Sequence, residues 1–490
     1  MKMFKRLTTI LFTIMMVLAT TNIVFAAGTG SITINNAIKD QTYKIYKIME
    51  LESYNGDNYA YKLTDTNWID FIKNTDRQQT IQIIDETNGI VKWIADKTHS
   101  TVQGFAKKAL DYAKTKNLTA TETIVATGTT VTFDSLDLGY YLVDSSAGAL
   151  CNLTTTSDDA IIEEKNSVPT VTKVLTTPEG DSTSASYNIG QSINTKITIT
   201  VGKGAQNYVL HDKTDPGLTI DTSTINVSYK GSTQPINTFY EVVTTGLGET
   251  DPCDFHIKFL DYSSLAEGET IVVSYVMNLN KDANIVILPN VNKAWLTYGD
   301  EDVSTTKSGV EVKTLQFQLF KYTDVVGTET PLAGVKFKLT DENGNVIKLI
   351  KIQDEDTTIG AEKVLTYRPL DKNETGGVGE FVTPSLGKIT IKGLAKGIYY
   401  LTEIEAPKGY NKLNKDIEIE INNSGTIEYK ERDSMGSGSV VSYDGFIKIE
   451  NKTGTLLPST GGVGTTMMYI VGAALLIGSG VLLITKKNAK

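Results

Sequence analysis

Cysteine is nearly absent from this chain: Cys151 and Cys253 are the only two in 490 residues. Two thiols cannot supply the disulfide framework that exported proteins of this length commonly use. These two also fall in segments that read as different domains, so two buried thiols are expected. Proline is scarce at 11, which excludes a proline-rich disordered stalk. Histidine is rarer still: His99, His211 and His256 share no ligand spacing, and Cys253 with His256 is a lone pair without a second half. No metal centre is therefore expected. Positive charge is in deficit, with 47 Lys and Arg against 57 Asp and Glu and a net charge of −10. That balance excludes nucleic-acid binding and anchoring on anionic lipid heads. No nucleophile elbow, P-loop or zinc signature occurs, so neither an enzyme nor a cofactor is expected.

What the chain does hold is β-forming residues. The aromatics are mostly Tyr, at 23, and Thr, Val and Ile are plentiful. This composition predicts β-sheet domains with wet, tyrosine-bearing faces. The two ends are different. Lys2, Lys5 and Arg6 precede an apolar run from Leu7 to Ala19 and then Val24-Phe25-Ala26. A charged head, a short apolar core and small residues at the cut make a secretory signal peptide, cleaved after Ala26 with Ala27 the next candidate. At the other end Met467 to Thr485 is almost wholly apolar and is followed by Lys486, Lys487 and Lys490. The run is long enough to span a bilayer, and the positive tail holds the terminus in the cytoplasm.

Just before that run stands Leu457-Pro458-Ser459-Thr460-Gly461. Pentapeptide, apolar span and basic tail together resemble the LPxTG cell-wall sorting signal of Gram-positive bacteria. The resemblance implies that a sortase cysteine attacks the Thr460 carbonyl, that Gly461 leaves as the free amine, and that the protein ends up on peptidoglycan.

Between the ends lie about 430 residues, room for roughly three domains of ordinary size. The first, 27–166, opens with strand-like Gln41 to Ile48 and closes with strands around Val131-Thr132-Phe133 and Gly139 to Asp144. Between them Val102, Phe105, Ala106, Ala109 and Ala113 recur at helical spacing. The second, 167–311, is short strands and turns, with Ile193 to Val201 and Ile271 to Leu279 alternating and Asp215-Pro216-Gly217 as a turn. The third, 312–454, has the same pattern, and 455–490 is the sorting segment. The fold class is mainly β: tandem Ig-like sandwiches, the first with a helical insertion. Periodicity alone does not separate sandwiches from barrels.

The first and third domains share three blocks in the same order. Tyr43-Lys44-Ile45-Tyr46-Lys47 reads against Phe317-Gln318-Leu319-Phe320-Lys321, Tyr140 to Asp144 against Tyr399 to Glu403, and Ile161 to Asn166 against Phe446 to Asn451. Each block contributes one polar residue to a face that should be apolar: Lys321, Glu403 and Asn451 in the third domain, and Lys47, Asp144 and Asn166 in the first. Spacing alone favours solvated faces, the usual fate of Lys and Glu. If the three point inward, a buried lysine tends to lose its proton and a buried acid to keep one. The amine can then attack the amide carbon of the Asn, polarised by the acid, and expel ammonia.

The segment Tyr400 to Tyr410 resembles the E-box of Gram-positive pilins and Cna B-type adhesin domains, and Leu332 to Phe337 matches the strand that follows their lysine. That resemblance implies a Lys321–Asn451 isopeptide bond catalysed by Glu403. The second domain is similar to the isopeptide-forming D2 domain of the same pilins, with Pro169 to Lys173 supplying Lys173, Val209 to Asp212 supplying Asp212, and Asn290 to Leu296 supplying Asn292. Over its whole length the chain resembles sortase-assembled backbone pilins, which implies a structural subunit polymerised head to tail with its neighbours. The rival reading is a monomeric adhesin or ancillary pilin with a host surface ligand. A filament needs donor and acceptor on opposite ends of each subunit. Glu163-Glu164-Lys165-Asn166 occupies the place of the YPKN-like acceptor motif of backbone pilins and shares its Lys-Asn pair but not its Tyr-Pro. Lys165 is the expected acceptor, with Lys173 the runner-up.

Overall fold

The structure, a computed structural model, describes Val24–Phe25, residues 29–454 with short breaks, and the backbone of 463–487. The breaks are 56–57, 147, 156–158, 205, 245–250, 262–263, 287, 300–302, 353–356, 360–361 and 433–437. Residues 1–23, and so nearly all of the expected signal peptide, lie outside the described residues. So do Leu457 to Gly461 and the side chains of Cys151 and His99. The chain divides into two compact units. One comprises Met1–Ala185, Ser192–Asn278 and Asn290–Val312; the other comprises Ser186–Gln191, Leu279–Pro289 and Lys313–Lys490.

In the first unit an eight-stranded and a three-stranded sheet are built from residues up to Glu163, and a six-stranded and a seven-stranded sheet from Thr170 onward. The long strand Thr42–Asn55 organises the first pair because both of its faces are buried. Successive side chains point to opposite sides. Tyr43 and Ile45 therefore join Ile32, Ile34, Phe133 and Val143 in one core, while Tyr46 and Ile48 join Phe71, Phe105 and Ala109 in another. That second core is the seat of the helix His99–Thr115, which buries Phe105, Ala106, Ala109 and Ala113, the apolar stripe expected from spacing.

In the later pair of sheets, Thr170–Thr177 pairs with Ser192–Thr200, which pairs with Thr270–Leu279. Facing them, Val209–Thr214 lies between Phe255–Phe259 and Asn290–Tyr298. The alternation holds residue by residue: Ile193, Ile197 and Ile199 are buried on one strand, and Ile271, Val273, Tyr275 and Met277 on its neighbour. Asp215-Pro216-Gly217 turns the chain, with the Leu218 N–H donating to the Asp215 carbonyl at 3.0 Å.

The second unit is centred on the strand Leu315–Val325. It pairs antiparallel with Lys388–Leu394 and parallel with Ile447–Glu450, the last strand of the unit. Lys336–Asp341, Gly397–Glu405 and Ile417–Ile421 form the facing sheet. Phe317, Leu319, Phe337, Leu339, Ile391, Leu401 and Ile419 fill the space between. Beyond it a 25-residue helix, Val463–Lys487, takes up the apolar run. Among the described residues no helix is long and apolar enough to cross a membrane. The side chains of 482–490 lie outside them.

Gly387 fixes the central strand at its lysine. Its φ of 63° is left-handed, its carbonyl accepts the Lys321 N–H at 2.7 Å, and a β-carbon there would lie 2.1 Å from the Lys321 carbonyl oxygen. Gly387→Ala should cost about 1–3 kcal/mol in backbone strain alone, with the clash in addition. Thermal unfolding should register the loss, whereas Gly128→Ala, with nothing within 4 Å of the new β-carbon, should leave stability nearly unchanged.

Candidate functional site

In the second unit three polar side chains meet inside the apolar core. Lys321 belongs to the central strand, Asn451 follows the parallel strand beside it, and Glu403 comes from Gly397–Glu405 on the opposite sheet. All three are at most 1 % exposed. The parallel register brings the pair together: Lys321 stands opposite Ile449, and the Asn451 N–H donates to the Tyr322 carbonyl at 2.9 Å. The amine donates to Asn451 Oδ1 at 2.5 Å and lies 3.3 Å from Glu403 Oε2, while Asn451 Nδ2 donates to Glu403 Oε1 at 2.7 Å. The Phe337 ring, 5.8 Å from the amine, helps to wall it from water. Burial holds the Lys321 amine down at about 8, against the opposing pull of Glu403.

The first unit has a second such group. Lys173 stands on Thr170–Thr177, and Asp212 and Asn292 stand on neighbouring strands of the facing sheet, so here the lysine reaches across. Lys173 Nζ donates to Asp212 Oδ2 at 2.5 Å, and Asn292 Nδ2 donates to Asp212 Oδ1 at 2.5 Å. Burial lowers the Lys173 amine to about 8 and raises the Asp212 carboxyl, each against the attraction of the other. Sequence reasoning missed a fourth member. The Tyr275 hydroxyl lies 2.8 Å from Asn292 Oδ1 and 2.9 Å from Asp212 Oδ2. It can donate to the amide oxygen, where negative charge would develop on attack. Its one signal is a hydroxyl between Val273 and Met277 on a core-facing strand edge.

Lys47, Asp144 and Asn166 are not brought together. The Lys47 amine pairs with Asp137 at 2.9 Å, Asp144 lies 3.7 Å from Lys114, and Asn166 is half-buried. The reason is topological. Ala160–Glu163 runs parallel to Thr29–Asn35, not to the strand that carries Lys47. Ile34 faces Ile162 and the Glu164 N–H donates to the Asn35 carbonyl. Ile34 and Glu164 therefore occupy the places that Lys321 and Asn451 occupy in the second unit.

Lys165 is exposed in the connection between Glu163 and Thr170. The buried Glu164 shapes this connection by accepting the N–H groups of Lys165 and Asn166 at 2.9 and 2.8 Å. Lys173, the other lysine of this stretch, is 1 % exposed.

Residues 318–434 match the SpaA family, described as a prealbumin-like fold domain, and residues 449–490 match the LPXTG cell wall anchor motif. No curated protein matches the chain. Among solved structures, the T6 backbone pilin of serotype M6 Streptococcus pyogenes is 17 % identical with a TM-score of 0.57, over 88 % of this chain and 99 % of that one. The major pilin SpaA of Corynebacterium diphtheriae is 17 % identical with a TM-score of 0.48, over 86 % and 100 %. The T6 likeness shows the fold. The chain thus carries a prealbumin-like domain in its third segment and a peptidoglycan anchor, which makes it a cell-surface protein. The two family matches cover the third segment and the C-terminal anchor, and the fold likeness extends over most of the chain.

The lowered amine sets a pH dependence. In Asn451→Ala, where Lys321 has no amide beside it and stays a free amine, it keeps its proton less readily folded (about 8) than unfolded (about 10.4). The unfolded chain then binds more protons across this interval, so stability rises with pH. The penalty is full below about 8 and is relieved above it. Denaturant unfolding of this variant should show increasing stability from neutral pH to about 9; a flat or falling profile contradicts the assignment.

Proposed function

We propose that this chain is the structural subunit of a covalently polymerised pilus, stiffened by two internal Lys–Asn isopeptide bonds. The reading rests on one observation above all: two lysines are sealed in β cores, each beside an acid and an asparagine amide, in a chain that ends in a sorting motif. Outside such a role a buried lysine–acid pair gives little net stability. In each site the neutral amine attacks the Asn amide carbon, and the acid carries the amine proton to the departing nitrogen. One C–N bond forms, one breaks, and ammonia leaves. Glu403 serves Lys321 and Asn451; Asp212 serves Lys173 and Asn292, with Tyr275 on the amide oxygen. The reaction happens once per site, so the chain is a structural protein and not an enzyme with turnover.

The products differ mechanically. Lys321–Asn451 would join the first and last strands of one sandwich and close a loop of 130 residues, a cross-link for which loop-entropy models give about 5 kcal/mol. Lys173–Asn292 would tie one sheet to the other. Intact mass of an Ala27–Thr460 fragment should fall below the sequence value by two ammonia molecules. Glu403→Ala and Asp212→Ala should each restore one, and Lys47→Ala none. An unshifted mass in the unmutated fragment overturns the bonds.

Polymerisation would then use the Thr460 carbonyl, which is transferred to the sortase cysteine as Gly461 leaves with a free amine, and passes from that thioester to the Lys165 amine of the next subunit. Lys173 is sealed in its core, and one amine cannot serve both bonds. Boiled wall extracts should show a high-mass ladder that Lys165→Ala abolishes while folded monomer, internal bonds and wall attachment persist. A ladder in that variant would move the acceptor elsewhere. The rival reading, a monomeric adhesin, has one observation in its favour: a cleft of about 500 Å³ lined by Tyr59, Tyr61, Trp93 and Tyr140. A single band from wild-type wall would favour it.

A further inference from the structure

Back to back with the Asp212 site, on the other face of the same sheet, stands a cluster that sequence spacing concealed. Along Val209–Thr214 the even residues Leu210, Asp212 and Thr214 point into the core, so His211 points away from it. Strand pairing sets His211 directly opposite His256 on Phe255–Phe259. Cys253 and Asp251 lie just before that strand. His211 Nδ1 is 2.9 Å from His256 Nε2 and 3.7 Å from Cys253 Sγ, and His256 Nε2 is 3.1 Å from Asp251 Oδ2. The ligand atoms of the two histidines and the cysteine all lie within 4.8 Å of one another.

These separations, from 2.9 to 3.7 Å, bracket those of a coordination shell. A tetrahedral zinc ion, with bonds of about 2.0–2.1 Å to nitrogen and about 2.3 Å to sulfur, spaces its ligand atoms about 3.3–3.6 Å apart. The surroundings also hold the donors in the form a cation needs. His211 Nε2 lies 2.9 Å from Thr297 Oγ1, whose own hydrogen is directed at the Val209 carbonyl at 3.4 Å. The Thr297 lone pair thus receives the Nε2 hydrogen, which leaves Nδ1 bare toward the cluster. The His211 ring is clamped flat on Trp295, with centroids 5.2 Å apart and planes 4° from parallel. Asp251 Oδ1 accepts the Cys253 N–H at 3.1 Å, and this turn aims Oδ2 at His256. His211 Nδ1 faces both His256 and Cys253, and His256 Nε2 faces both His211 and Asp251, so one cation between them would engage all four groups.

We propose that His211, Cys253, His256 and Asp251 bind a divalent cation of the zinc type, with His211 Nδ1, Cys253 Sγ, His256 Nε2 and an Asp251 carboxylate oxygen as its four ligands. Binding releases the thiol proton to solvent. With every position taken by protein, the site is structural rather than catalytic. It fastens the segment ahead of Phe255–Phe259 to the outer face of the sheet whose inner face holds Asp212 and Asn292. The Cys253-to-His256 spacing is local, but His211 lies 42 residues before Cys253, and only strand pairing brings it there.

The test is a cobalt(II) titration of the full chain in detergent after chelator treatment. One cobalt per chain should bind with a sulfur-to-metal charge-transfer band and a tetrahedral ligand-field spectrum, and zinc should displace it. Cys253→Ser should remove the band. His211→Ala, His256→Ala and Asp251→Asn should each weaken binding by about tenfold or more, since even outer-shell changes do so. A cooperative unfolding transition in each variant confirms that it is folded. Two results overturn the proposal: no charge-transfer band in the unmutated chain, or a band of unchanged affinity in the folded His211→Ala and His256→Ala variants, which would leave Cys253 as a thiol that captures cobalt alone.

Discussion

A lysine amine confined in an apolar sandwich, with an acid and an amide beside it, is the constraint on which this molecule turns. Removing an ammonium group from water is costly, and attraction to a carboxylate recovers the cost only in part. Lys321 and Lys173 are held at that cost by the packing of large apolar cores, which is why both amines are pulled down to about 8. A charge kept in such a place for stability alone would be a poor investment. Under the proposed reaction it has a purpose, because desolvation would make the amine nucleophilic and keep water from the intermediate.

The two sites bring the same kinds of residue together by different geometry. In one, lysine and asparagine are parallel neighbours in a sheet and the acid crosses from the facing sheet. In the other, asparagine and acid are neighbours and the lysine crosses, with Tyr275 joining them. The acid is Glu where it must reach from the far sheet and Asp where its strand adjoins the asparagine's. The proposed cross-links would also account for the scarcity of cysteine in a cell-surface chain.

Much was legible in the sequence because local patterning decides it. Alternation placed Ile193, Ile197 and Ile199 on a core face, and helical spacing placed Phe105, Ala106 and Ala109 on another. Lys321, Glu403 and Asn451, and likewise Lys173, Asp212 and Asn292, were found by motif, and the structure brings each set together. The repeat misled in the first domain, where it equated strands by sequence order: Lys47 lies on a strand that Ala160–Glu163 never touches.

The sequence by itself determined what covalent order and side-chain chemistry can carry: β strands by their period, the sorting end by its motif and charges, and the polar residue types set in the cores. Which of those residues meet was left to the tertiary structure. Pairing between strands far apart in the chain is set by register, and a register is a property of two segments at once. It put Ile34 and Glu164 where a lysine and an asparagine would be needed, it added Tyr275 to one site, and it laid His211 against His256.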